Sequence, residues 1–136
     1  MEKQLFELII KIKKKCLRTE ERIRGELKLT PGEFHGLLAV QPGERLPGQE
    51  FSDRLDISAS RGSRVINRLV QRGFMELNTG KEDRRSIEVF LTEDGISMGR
   101  LVFEKMVECE STFSSRLNDH QINEIRASLE LLLSVM

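Results

Sequence analysis

The stretch that decides the fold is Ser58 to Leu91, SASRGSRVINRLVQRGFMELNTGKEDRRSIEVFL. Ser58 is a residue type that caps helix N-termini, and behind it Val65, Ile66 and Leu69 share one face at helical spacing. Arg72-Gly73 ends that helix, since glycine adopts the left-handed conformation at a helix C-terminus without penalty. Two short alternating runs follow, 74–78 and 86–91, the second with Ile87, Val89 and Leu91 on one face. The residues between them, 79–85, form a polar hairpin loop. A capped helix running straight into a hairpin with a basic tip has the order of a recognition helix and its wing.

Upstream, the chain supplies the helices that such a unit needs. Thr30-Pro31-Gly32-Glu33 opens a helix: Thr30 caps, Pro31 suits the first turn and Glu33 completes a capping box. Phe34, Leu37 and Leu38 face inward, and Gln41-Pro42-Gly43 breaks the helix. A short helix begins near Pro47 and carries Phe51 and Leu55, with Asp56-Ile57 as the turn into Ser58. In a helix-turn-helix, the second helix projects from a packed pair into the roughly 12 Å major groove. Ser52 is the small residue at the crossing, and Phe51, Leu55, Ile57 and Val65 fix it. Ser58, Ser60, Arg61, Ser63, Arg64 and Arg68 then lie outward or at the leading end, as candidate contacts to double-stranded DNA. At the hairpin tip Lys81, Arg84 and Arg85 suit phosphates or a narrow minor groove, with Asp83 placed to hold one arginine.

The termini read as long helices. Leu5, Ile9, Ile12, Cys16, Thr19 and Ile23 recur on one face, opposite Lys11, Lys13, Lys14, Lys15 and Arg18. That basic run is a solvated face or a secondary phosphate contact. After Thr92 a helix carries Ile96, Gly99, Phe103, Met106 and Phe113 on one stripe. Asn118 and Gln121 form a capping box for a final helix with the seam Ile122, Ile125, Leu129, Leu132 and Met136. So regular a seam calls for a partner surface.

The fold expected is mainly α with a small β-hairpin wing. A winged helix-turn-helix DNA-binding domain spans 30–91, and 1–29 with 92–136 form a helical dimerisation region. The formal net charge is zero, but it is unevenly distributed. Residues 58–85 hold seven basic and three acidic side chains, whereas 91–136 hold eight acidic and four basic. The basic centre suits a polyanion. No apolar run reaches the roughly 20 residues of a membrane span, and the N-terminus does not resemble a signal sequence. A cytoplasmic protein with no membrane association is expected.

Ile57-Ser58-Ala59-Ser60, Ser63-Arg64, Asn67-Arg68-Leu69, Gly73-Phe74-Met75, Asp83-Arg84-Arg85-Ser86 and Leu91-Thr92-Glu93-Asp94-Gly95 together resemble the MarR family of bacterial regulators. The most specific part is the wing signature running into Leu-Thr-Glu-x-Gly, and the flanking helices match as well, so the resemblance covers nearly the whole chain. It implies a homodimer built from the N- and C-terminal helices, reading an inverted repeat and acting as a repressor. It also implies that Arg85 is directed at the minor groove, and that a small aromatic or phenolic effector releases DNA. Arg18 and His35 are the candidate effector anchors. Some relatives sense peroxide through a cysteine in the first helix, which makes Cys16 the candidate redox residue, although this chain has no tyrosine to orient its sulfur. Two positions depart from the pattern. Gly62 stands where a branched apolar residue is usual, and Pro47 where a Ser or Thr cap is common.

Enzyme chemistry finds no foothold. His35 and His120 are the only histidines, and no HExxH, GxSxG or phosphate-cradling glycine loop is present. Cys16 and Cys109 are too far apart for a CxxC metal site, and no cofactor is implied. The alternative from another class is a winged-helix protein-interaction module without DNA binding, which a mobility shift with salt titration distinguishes.

Overall fold

The computed structural model describes residues 4–79 and 87–136. Six helices and three strands run in the order α1 (Leu5–Leu27), α2 (Pro31–Ala39), β1 (Leu46–Pro47), α3 (Gly48–Arg54), α4 (Ala59–Gln71), β2 (Met75–Thr79), β3 (Ile87–Leu91), α5 (Glu93–Ser114) and α6 (Asp119–Val135) among these residues. The chain divides into two compact units, Met1–Phe103 and Glu104–Met136.

The first unit holds the core. Phe34 and Leu37 of α2, Phe51 of α3, Ile66 and Leu69 of α4, and Met75, Val89 and Leu91 of the sheet are all buried. Each comes from the apolar positions of its own element, so the hydrophobic effect and the local periodicities favour the same arrangement. Both capping boxes form. The Thr30 hydroxyl accepts from the Glu33 N–H at 3.2 Å while the Thr30 N–H donates to Glu33 Oε1 at 2.9 Å. The Asn118 carboxamide oxygen accepts from the Gln121 N–H at 2.8 Å, and Gln121 returns the bond.

The sheet is larger than a hairpin. β2 and β3 pair antiparallel with Met75 opposite Leu91 and Thr79 opposite Ile87. β1, with Leu46 opposite Val89, adds a third strand on the other side of β3. Two residues carry no alternating pattern, so periodicity had no means of revealing β1. The Arg45 guanidinium lies 4.3 Å over the Phe90 ring and fastens that edge.

Gly62 has a tertiary reason. It is buried where α4 crosses α3, and a Cβ there would lie 2.9 Å from Ser52 Cβ and would overlap Ser52 Oγ. The two small residues set a closer crossing than a branched side chain would allow, so the loss of helix propensity, about 1 kcal/mol, accompanies tight packing. Pro47 does occupy the α3 N-cap and makes no side-chain capping bond.

Two of the expected apolar stripes are largely uncovered within one chain. On α1 only Ile23 is buried, whereas Leu5, Leu8 and Ile12 are exposed, as is Cys16. On α5 the buried residues are Gly95 and Val102, and Phe103, Met106 and Phe113 are exposed. Spacing defines a stripe but not what covers it, and within a single chain these stripes are covered only near the core. In the second unit α6 has no buried residue: Ile125, Leu129, Leu131 and Leu133 are all exposed. No helix among the described residues is long and apolar enough to cross a membrane.

Candidate nucleic-acid interface

α4 presents three distinct sides. Gly62, Ile66 and Leu69 face the core. At 100° per residue, Ser60, Arg64, Asn67 and Gln71 then point directly away from it, and all four are exposed. Arg61 and Arg68 occupy one flank and Ser63 the other, again exposed. Ser58 caps the helix, its hydroxyl accepting from the Arg61 N–H at 3.2 Å with Ser60 Oγ also 3.2 Å away. The helix N-terminus therefore carries exposed hydroxyls and arginines at the positive end of the helix dipole, an arrangement that favours anions.

The flank bearing Arg61 and Arg68 forms one wall of an open cleft of about 410 Å³. Thr30 and the first turn of α2 also line it, together with His35 and Arg64 and with Leu55, Ile57 and Val65 as apolar surface. His35 also borders a second cleft with Leu38, Ala39, Arg54 and Leu55. The His35 side chain is half exposed, and its Nε2 lies 2.8 Å from Glu20 Oε1 on α1. Arg18 is exposed on α1 and lines neither cleft, so the two candidate effector anchors are not brought together. Cys16 is likewise exposed on α1. Lys81, Asp83, Arg84 and Arg85 lie outside the described residues.

Several groups escaped the sequence reading. Asn67 shares the outward face with Ser60 and Arg64, and the helical wheel already contained that signal. Arg72, counted within the basic centre, is committed to the fold: Nη1 donates to Glu33 Oε2 at 2.6 Å and to the Lys28 carbonyl at 2.9 Å. Burial pushes the Glu33 carboxyl up, but the Thr30 N–H and the Arg72 guanidinium outweigh it and hold the pKa below its ordinary value. Arg54 forms a two-pronged pair with Glu44, both contacts at 2.8 Å, and also donates to the Ala39 carbonyl at 2.7 Å and to Glu50. The Arg54 hydrogen bonds, aided by the Gln41 N–H, hold the Glu44 carboxyl down at about 2. Glu33 and Arg72 are separated by 39 residues, and no local pattern links them. Among the described residues no cluster of histidine, cysteine and acidic side chains could hold a metal ion.

Comparison with known proteins gives a consistent result. The sequence pattern of the MarR family matches residues 29–87. The chain is 23% identical over 138 residues to an organic hydroperoxide resistance transcriptional regulator from Bacillus subtilis (strain 168), covering all of this chain and 91% of the relative. Its fold is similar to that in the crystal structure of an S. aureus MepR–DNA complex, with TM-score 0.83 and 20% identity over 99% of this chain and 100% of the other. It is also similar to wild-type apo MarR from E. coli, with TM-score 0.80 and 19% identity over 98% of both chains. A winged helix-turn-helix frame and a sequence match centred on that frame together identify residues 29–87 as a MarR-family domain.

Proposed function

We propose that this regulator binds palindromic duplex DNA as a homodimer and represses transcription, with a small molecule able to release it. The observation that carries the reading is the outward face of α4, where Ser60, Arg64 and Asn67 are exposed opposite the buried face. Arginine pairs with guanine and asparagine with adenine through two hydrogen bonds each, so this face has the chemistry to read base edges. Arg61 and Arg68 on the flank, with Ser58 and Ser63, are assigned to phosphates or to the cleft wall. Lys81, Arg84 and Arg85, with Asp83 beside them, are assigned to backbone or minor-groove contact on sequence grounds.

What one chain leaves exposed supports the dimer. α6 and the first turns of α1 carry more large apolar side chains than a monomer surface commonly presents. A second copy covering them would set two recognition helices at a fixed separation, about one helical turn or 34–36 Å. Selecting duplexes from a random pool, paired with light scattering of the protein, tests the reading. An inverted repeat bound by a dimer is the expected result, and a monomer that selects no sequence would refute it.

For control, the 410 Å³ cleft has the size and mixed apolar and cationic lining suited to a small aromatic acid or phenol, with His35 among the lining residues. Such a ligand releases DNA only if it prefers one arrangement of the lobes. Salicylate-type compounds that change neither DNA affinity nor Tm would argue against it. A second reading has Cys16 as the control point, because it is exposed and the B. subtilis relative is named for hydroperoxide resistance. In that chemistry the peroxide oxidises the thiolate to a sulfenic acid and is itself reduced to an alcohol. Loss of operator binding on cumene hydroperoxide treatment that persists in Cys16→Ser would exclude it.

A further inference from the structure

Four helix ends meet at the last residues of the recognition helix. On one side Arg72 bonds to the Lys28 carbonyl at the end of α1 and to Glu33 in the first turn of α2. Its guanidinium lies 5.0 Å from the centroid of the Phe74 ring. On the other side the Thr92 hydroxyl donates to the Gly73 carbonyl at 2.5 Å, and the Thr92 N–H to the Phe74 carbonyl at 3.1 Å. Gly95, in the first turn of α5, sits so close that an added Cβ would overlap the Phe74 carbonyl oxygen. The chain therefore enters the winged part near Lys28 and leaves it near Thr92, and both passages are tied to residues 72–74.

The tie on the α1 side is specific. Glu33 is 2% exposed and uses both oxygens, one on the Thr30 N–H and one on Arg72. Lys28 adopts a left-handed conformation, φ 56°, which is unusual for a residue with a side chain. Its carbonyl is left without a partner in the helix and accepts from Arg72 instead. A planar guanidinium holding acceptors from two other helices keeps three helix ends in one geometry.

We propose that residues 72–74 are the joint through which α1 and α5 set the position of the recognition helix, with Arg72 and Glu33 as positioning residues and not DNA contacts. This rests on the dimeric operator reading above. In a two-fold dimer the separation of the two α4 helices decides which half-site spacing is accepted. A stiff joint rejects a spacer altered by one base pair, and a loosened joint absorbs it.

The test is the double variant Glu33→Gln/Arg72→Gln. Glutamine at position 33 keeps the capping box, and removing both charges leaves neither one unpaired. The probes are the inverted-repeat duplex selected by the parent protein, the same duplex with its spacer changed by one base pair, and a duplex with a single half-site. The parent should discriminate against the altered spacer by about tenfold or more, and the variant by less than about threefold, with half-site affinity preserved within about twofold. A variant that keeps the parent's discrimination would overturn the joint. So would one whose half-site affinity falls by the same factor as its full-site affinity, since the pair would then merely hold α4 in shape. Should the double variant melt below the assay temperature, Arg72→Lys, which retains the charge without the planar fork, takes its place with the same two criteria. A parent protein without spacing preference would refute the dimeric reading itself, so the two failures are distinguishable.

Discussion

α4 and α6 are both capped amphipathic helices, but the chain treats them in opposite ways. α4 buries Gly62, Ile66 and Leu69 against α2, α3 and the sheet, and keeps only its polar face exposed. α6 buries nothing, although Ile125, Leu129, Leu131 and Leu133 give it an apolar surface of its own. Amphipathicity measures a need for burial, and where that need is met depends on surfaces far away in sequence. A helix satisfied within its chain can display its polar side to a ligand. One left unsatisfied is suited to assembly.

Introducing charge into the α6 surface probes that difference most strongly. Ile125→Asp/Leu129→Asp should leave the first unit folded, because neither residue is buried. It should dissociate the proposed dimer and lower operator affinity by about 10²–10⁴, as two linked contacts become one. Light scattering and a binding titration read the two effects, and an unchanged dimer would show that α6 serves another surface.

The matching probe of α4 is Gly62→Val, aimed at its buried side. The added atoms meet Ser52, so overpacking should cost about 3 kcal/mol, measurable as a drop in Tm. Ser52→Gly in the same chain should restore part of the loss, and a neutral Gly62→Val would contradict the close crossing.

Arg72→Ala tests the end of α4. It leaves the buried Glu33 carboxylate without its cation, which costs about 3–5 kcal/mol for a fully buried pair and about 2–3 kcal/mol here, because Arg72 is itself a third exposed. The pH dependence has a definite sign. The folded pKa of Glu33 lies below the ordinary value of 4.5, so the stability it contributes is present above pH 4.5 and is lost as pH falls through the lower folded value. In Glu33→Gln the acid limb of the stability curve should flatten in that window. An identical acid limb would assign the loss to other carboxylates, Glu44 first, whose pKa is held near 2.

The smallest effects are expected on the exposed face. Asn67→Ala and Arg64→Ala should each cost about 1–3 kcal/mol of discrimination at one base pair per half-site, with little change in Tm. Titration against single-base operator variants distinguishes this outcome from a uniform loss, which would mean that these side chains touch only phosphate.

Much of this molecule was legible in its sequence. Both capping boxes, the Ser58 cap, Ile66 and Leu69 in the core of α4, the wing strands to within one residue at their outer ends and the resemblance to the MarR family all followed from local patterns, whereas Val65, expected inward with them, is only half-buried. Those features depend on residues a few positions apart, where helix and strand periods govern. What only the tertiary structure decided involves partners distant along the chain. β1 joins β3 across some forty residues, Gly62 is required by Ser52, and Arg72 is turned from apparent DNA-binding charge into a tie by Glu33 and Lys28. The α1 and α5 stripes belong to the same class, because spacing defines a face but only packing determines whether anything covers it. Local rules specify what each element presents, and long-range packing selects which of those surfaces remain available to DNA or to a second chain.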